Sequence, residues 1–478
     1  MYDQLKRLAK HSAIYGLGGL VSRVLAVLLL PLYTRYLSPS DYGSIETLIA
    51  LSAVLLAVLR AAIQNAFFRF YFDARDEEQR VLLVRTAFWF TMATATAALV
   101  VGLVLAAPIS QALFGGSGQA NLVRAAFVGL WAQMNYDQLV SLFRVEERSV
   151  SFALASLANV AITIALTILL VAVLDKGPVG VLVGNFAGTL AVYGVLLAYR
   201  RYQLGLQFSA SLFREMNRFG MPFVPSVVAI SAIDFADRFF LVKFWDRHEV
   251  GLYSIGVRIS SAIVFFLWAF RTAWPAFAYS IEDDDEARRT YGYVLTYLLY
   301  ATAWLALGVS LLAPWLVHLL TTPAFYSASQ VVPLLAFGTV AFSGYVVVLI
   351  SVGRARRTRS NWIVTGAGAA INLGLNFALI PAYGMIGAAI SMLCAYVAMF
   401  AGMTWKAQRV FRVSYQWRRV ATLLAVAVGL LLVGKGVDAP LALAVALTAL
   451  YPLVLLSLGF YLPEERARMA RVLQASPR

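Results

Sequence analysis

Positive charge in this chain is sorted by position. Apolar stretches of about 20 residues, the length that crosses a bilayer core as a helix, fill nearly the whole sequence, and lysine and arginine collect in every second gap between them. The tails and even-numbered gaps hold runs such as Lys6, Arg7 and Lys10, then Arg69 to Arg85, Arg354 to Arg359, Lys406 to Arg419 and Arg466 to Arg478, in all 28 of the 39 basic residues. The odd gaps hold Arg35, Lys176, Arg247 and Lys435, with Lys243 at an edge. Basic loops stay on the cytoplasmic side, so the alternation predicts a polytopic membrane protein with an even number of spans and both termini inside. Backbone in hydrocarbon must satisfy its own polar groups, which makes the spans helices and the fold class all-α.

Composition agrees. With 61% hydrophobic and 13% charged residues and a mean hydropathy of +0.76, little remains for a soluble domain. About 14 spans of roughly 21 residues would take some two thirds of the chain. The net charge of +15 is accounted for by topology and attraction to anionic inner-leaflet lipid, so nucleic acid is not an expected partner. The single cysteine, Cys394, lies mid-span, which excludes an intramolecular disulfide and a cysteine metal site. The basic start leads into a stretch with no small-residue cleavage site, so it is expected to be an uncleaved first span.

The predicted spans are 11–36, 41–67, 82–107, 121–143, 151–174, 178–199, 219–243, 249–275, 291–319, 329–353, 361–380, 384–405, 419–435 and 440–462. The longest mainly polar connection, 201–218, divides twelve of them into two sixes, 1–200 and 219–405, and leaves 406–478 as two further spans and a short cytoplasmic tail. The sixes are weakly self-similar. Arg35-Tyr36-Leu37 followed by Asp41-Tyr42-Gly43 recurs as Lys243-Phe244-Trp245 followed by Glu249-Val250-Gly251, 208 residues later. Gly177 and Gly180 recur as Gly384 and Gly387 at an offset of 207. An even number of spans per unit makes these parallel repeats. Gly180, Gly184 and Gly188 form a face that admits close approach of another helix.

Charges within hydrocarbon cost on the order of 3 kcal/mol or more each, so those that persist line a cavity or pair. The set comprises Arg23, Arg60, Arg258, Arg124, Arg238 and Arg271 with Glu46, Asp137, Asp234 and Asp237. Arg23, Arg60 and Arg258 lie deepest, whereas Arg124, Arg238 and Arg271 are near enough to span ends to snorkel or pair. Asp234 and Arg238 have the spacing of an intrahelical ion pair. Asp237 has no such partner, and it, Asp234, Glu46 and Asp137 are candidates to bind a coupling proton or sodium ion or to pair with arginines. Gln133, Asn135, Tyr136 and Gln138 around Asp137 make a polar stripe of the kind that faces a hydrated lumen. Other motifs carry nothing. Gly429-x4-Gly434-Lys435 lacks the hydroxyl and strand of a phosphate loop, Glu282 to Glu286 is a solvated charge run, and His11, His248 and His318 are scattered.

Leu30-Pro31-Leu32, Arg35-Tyr36-Leu37-Ser38-Pro39 and Asp41-Tyr42-Gly43 resemble the polysaccharide (Wzx-type) flippases of the multidrug/oligosaccharidyl-lipid/polysaccharide (MOP) exporter superfamily. Gly19-Leu20-Val21-Ser22-Arg23-Val24-Leu25 is similar to the first span of the lipid II flippases of that superfamily. The resemblance implies a MATE-like fold in which two six-helix bundles form a V-shaped central cavity, followed by two C-terminal helices. It implies transport of undecaprenyl-diphosphate-linked oligosaccharides for O-antigen, capsule or exopolysaccharide across the bacterial inner membrane, with lumenal arginines holding the diphosphate. Arg23 is placed by the motif, Arg60 and Arg258 by charge alone. Guanidinium groups suit a diphosphate because they replace its hydration with bidentate bonds. Polysaccharide polymerase machinery is a further expected partner. A cation-coupled drug or metabolite antiporter on the same fold is the alternative, disfavoured by the excess of basic over acidic intramembrane residues. With no large outer loop to carry catalytic side chains, neither enzyme activity nor a cofactor is expected.

Overall fold

The structure is a computed structural model of the chain and describes residues 29–355 and 359–463 together with Val27. Arg23, the preceding basic residues, Arg356, Arg357 and the C-terminal arginines lie outside the described residues. Among the described residues there are sixteen α-helices and no strand.

The helix starts are written in local chemistry. After α1 (Leu30–Tyr36), the Ser38 hydroxyl accepts from the Asp41 backbone N–H and the Asp41 carboxylate accepts from that of Ser38, both at 3.2 Å. This reciprocal cap, with Pro39 at the first helical position, opens α2 (Pro39–Asp73). The Asp76 carboxylate, accepting from the Gln79 N–H at 2.8 Å, opens α3 (Glu77–Val104). A short α4 (Ala106–Phe114) leads into α5 (Ala120–Val145), then α6 (Ser149–Ile168) and α7 (Gly177–Arg200).

The polar connection between the two sixes is not all loop. Ser209 caps an amphipathic helix, α8 (Ala210–Gly220), which buries Met216 and packs Leu212, Phe213 and Phe219 on an aromatic core while Arg214, Glu215 and Arg218 face outward. A 3-10 turn containing Pro222 separates it from α9 (Val224–Phe244). The predicted eighth span is two helices, α10 (Arg247–Ser260) and α11 (Ala262–Ser280). The break falls at a serine pair, where the Ser261 hydroxyl takes the Arg258 carbonyl at 2.6 Å. Then follow α12 (Asp284–Leu320), α13 (Val332–Arg354), α14 (Arg359–Val410), α15 (Trp417–Gly436) and α16 (Leu441–Ser457). Predicted spans 11 and 12 both fall in α14, interrupted at Gly384, whose φ of 53° favours a residue without Cβ. Among the described residues, eight helices are long and apolar enough to cross a membrane.

The chain divides into two compact units, Met1–Ile255 with Leu319–Ala328 and Trp362–Ala395, and Gly256–His318 with Ser329–Asn361 and Tyr396–Arg478. In the first, the glycine face of α7 lies on α6: a Cβ at Gly184 would come within 2.6 Å of the Thr167 Cα, and one at Gly188 within 2.5 Å of the Asn159 carbonyl. In the second, α15 and α16 dock on α12. Trp304 donates to the Thr448 carbonyl at 2.7 Å, and Tyr300 packs against Tyr451, Phe460 and Tyr461. Arg354, ending α13, donates to the carbonyls of Ile281 (2.8 Å) and Glu282 (3.0 Å) just past α11 and pairs with Asp284 at 2.8 Å. A cation there complements the helix C-terminus. Intramembrane hydroxyls of Thr47, Thr302 and Thr339 bond the carbonyl four residues back, so each is satisfied within its own helix.

Candidate functional site

The acids and arginines predicted to lie inside the membrane fall into two kinds of surroundings. Asp237, on α9, is 1% exposed. Its carboxylate accepts from the Tyr253 hydroxyl of α10 at 2.6 Å and from the side-chain amides of Asn372 and Asn376 of α14 at 3.0 and 2.7 Å. All three donors are neutral. Asn372 and Asn376, four apart on one helix face, are themselves joined at 3.0 Å and fully buried. The Asn376 side-chain oxygen has no hydrogen-bond partner among the described residues. A buried carboxylate, a phenol and two amides are thus joined in one hydrogen-bonded cluster. Among the described residues no cluster of three or more His, Cys, Asp or Glu forms a metal site.

Asp137, on α5, is held differently. Arg60 of α2 pairs with it at 2.5 Å, and Gln133 donates to its other oxygen at 2.7 Å. Arg60 is 3% exposed, so its guanidinium is committed to this partner. Arg238 is also neutralised: its guanidinium lies 3.6 Å from Glu46 of α2 and 5.9 Å over the Tyr253 ring. The predicted pair within α9 is not made through the carboxylate. Arg238 donates instead to the Asp234 backbone carbonyl at 2.8 Å, and Asp234 is exposed on the helix surface. Tertiary packing supplies Glu46 as the acid, which spacing along one helix could not reveal.

The remaining arginines are more open. Arg271, on α11, is exposed, with its guanidinium 5.7 Å over the Phe342 ring of α13. No carboxylate among the described residues pairs with it. Arg258 sits half-buried in the last turn of α10 before the serine break. Arg124, near the start of α5, is exposed and bonds Asn121 at 2.7 Å, which fits a snorkelling residue. Arg23 lies outside the described residues.

Sequence reasoning missed Tyr253, Asn372 and Asn376. The signal was available, since two asparagines in one turn of an apolar span carry a desolvation cost that calls for a partner.

Comparison with known proteins bears on fold and family. The model of the family described as "Polysaccharide biosynthesis protein" matches residues 32–330. An uncharacterized membrane protein of Methanocaldococcus jannaschii is 25% identical over 206 residues, 41% of this chain and 40% of that protein, so the chain matches less than half of that relative's length. Among solved structures, the lipid II flippase MurJ in an inward closed conformation superposes with a TM-score of 0.77 at 13% identity, covering 94% of this chain and 99% of its own. An inward-facing multidrug resistance MATE transporter of the MOP superfamily gives 0.69 at 15% identity, covering 82% and 98%. At such identities the likeness concerns the fold. The family model spans well over half of the chain, and the chain therefore belongs to the polysaccharide biosynthesis protein family and has the helical membrane fold of the MOP-superfamily transporters.

Proposed function

We propose that this protein moves a glycan linked to undecaprenyl diphosphate from the cytoplasmic to the opposite leaflet of a bacterial cytoplasmic membrane. It does so without covalent chemistry, by movement of the 1–200 six-helix repeat against the 219–405 repeat, which exposes the substrate alternately to each side. The observation that supports this most is Arg271, an exposed guanidinium set over an aromatic ring with no pairing carboxylate among the described residues. A guanidinium left without a carboxylate partner is free to meet an anionic head group. A diphosphate supplies two charges and paired oxygens, which a guanidinium fork receives bidentately. Arg258 is the second proposed diphosphate contact, and Arg23 is a further candidate from the resemblance. Arg60 and Arg238 already face acids.

Coupling is assigned to Asp237. Its carboxylate is surrounded by neutral donors, so a proton or sodium ion is what would neutralise it. Asp234 is a secondary candidate. Glu46 and Asp137 already face arginines. Both termini are placed in the cytoplasm, so an alkaline-phosphatase fusion should be inactive at residue 357 and active between 108 and 120.

The test is complementation of a glycan-export-deficient strain, read beside membrane protein levels. Arg258→Ala and Arg271→Ala should insert normally and lose export, with the Lys variants intermediate because they keep charge but lose the planar fork. Normal export by the double Ala variant would defeat the diphosphate contacts. Export of cationic drugs by the wild type would favour the antiporter reading.

A further inference from the structure

On the arginine-rich side of the second unit, the end of α11, the start of α12 and the ends of α13 and α14 surround an open cavity of about 740 Å³. Small-ligand sites span about 300–1,000 Å³. The cavity lies wholly within that one unit.

The charges in its lining cancel. Glu282 and Asp284 contribute two negative charges, Arg288 and Arg354 two positive ones. Both arginines are also committed. Arg354 places Nε and Nη2 on Asp284, each at 2.8 Å, and turns its other donors to the carbonyls of Ile281 (2.8 Å), Glu282 (3.0 Å) and Ala278 (3.5 Å). Arg288 pairs with Asp285 at 2.6 Å and lies 5.0 Å over the Phe411 ring. A guanidinium whose fork already holds carboxylate and carbonyl oxygens has little left for a phosphate. The lining therefore suits a ligand without net charge.

What stays open is a set of acceptors. Glu282 is exposed, and among the described residues its carboxylate has no partner. Asp284 meets Arg354 through Oδ1, which leaves Oδ2 open. Beside them stands Tyr279, 50% exposed, with its hydroxyl seated against Gly353, where a Cβ would come within 2.1 Å of it. The absence of a side chain at 353 is what lets the phenol tip settle there while half of the residue faces solvent. Open carboxylates and a half-exposed aromatic ring in a lining of zero net charge match the chemistry of a saccharide. Its neighbouring hydroxyls donate in pairs to a carboxylate, and the C–H face of its ring packs on an aromatic one.

We propose that this cavity is a saccharide-binding site that holds the glycan of the transported lipid on the cytoplasmic side before it crosses. That the glycan is the transported one, and that this side is cytoplasmic, rests on the function and topology proposed above; saccharide binding by the cavity does not. Glu282 and Tyr279 then discriminate among glycans on a common carrier, whereas Arg258 and Arg271 meet the diphosphate.

The test is saturation-transfer NMR on the purified full-length protein. The probe is the free oligosaccharide released by mild acid from the lipid-linked pool of the cells that make the protein. Export in the complementation assay and membrane protein levels are read beside it. Wild type should bind, and Glu282→Gln and Tyr279→Ala should each raise the dissociation constant about tenfold. Both residues are exposed, so levels should hold while export falls. Tyr279→Phe keeps the ring and should retain binding, and Glu286→Gln, in the same acidic run but outside the lining, should change nothing. A wild type that does not bind the oligosaccharide, or variants at parental levels that bind it as tightly, would overturn the site. Weakened binding with unchanged export would overturn the assignment to the transported glycan. Wild-type binding that depends on Glu282 and Tyr279, in a protein that restores no export, would sustain the saccharide site and defeat the transport reading instead.

Discussion

Asp137 and Asp237 are the same side chain inside helices of the same membrane unit, and they are compensated in opposite ways. Asp137 faces a guanidinium at 2.5 Å and forms a neutral pair. Asp237 accepts three hydrogen bonds from uncharged groups. Neutral donors solvate a carboxylate without pairing it, which is why Asp237 rather than Asp137 is proposed to take up a cation or proton. The pair at Asp137 joins α2 to α5.

The contrast can be broken most easily on the side of stability. Asp137→Ala strands the Arg60 charge in a site 3% exposed; the acid is 27% exposed, so the cost lies below the figure of about 3–5 kcal/mol for a fully buried pair. Membrane levels of that variant should fall sharply, and levels equal to wild type would remove the structural role. Exchanging the partners, Arg60→Asp with Asp137→Arg, should recover a substantial part of the lost protein, because the pair is restored with its sign reversed. If the exchange is no better than Asp137→Ala, the pair is not what holds α2 to α5. On the other side, Asn376→Ala removes one hydrogen bond to a charged carboxylate, worth about 1.5–3 kcal/mol. That variant should insert near normally but shift the ion concentration for half-maximal export. Arg124→Ala should change neither level nor export, since the residue is exposed and bonded only to its neighbour Asn121 among the described residues.

The sequence was most informative where one physical rule acts on many residues. The repeat of apolar stretches acts along the whole chain, and from α2 onward each expected span falls on helical residues, with ends that differ by up to seven residues. It was least informative where a fold choice depends on a single residue. Gly384, with φ 53° and ψ −131°, breaks the helical path between the two spans expected there, and the Ser260–Ser261 step divides one expected span into two helices. The stretch 201–218 reads as polar by composition, yet α8 buries an apolar stripe that only periodicity could reveal. Partners were the hardest to see. Arg60 and Asp137 are 77 residues apart, and Asp237 and Asn376 are 139 apart. Spacing along one helix predicted Asp234 as the partner of Arg238, while packing of α2 on α9 supplies Glu46 instead. The asparagines escaped notice because they carry no charge, although their burial cost is what builds the cage.

The central claim is that Asp237, and not Asp137, carries the coupling charge. It is tested most directly by measuring lipid-linked glycan transport in proteoliposomes with purified wild type and Asp237→Asn while the proton or sodium gradient is varied. Asn keeps the shape and much of the hydrogen bonding but removes the charge, so folding should be preserved. The account predicts a wild-type rate that rises with one of the two gradients and an Asp237→Asn rate that is low and flat against both. An Asp237→Asn protein whose transport follows the gradient as steeply as wild type would contradict it.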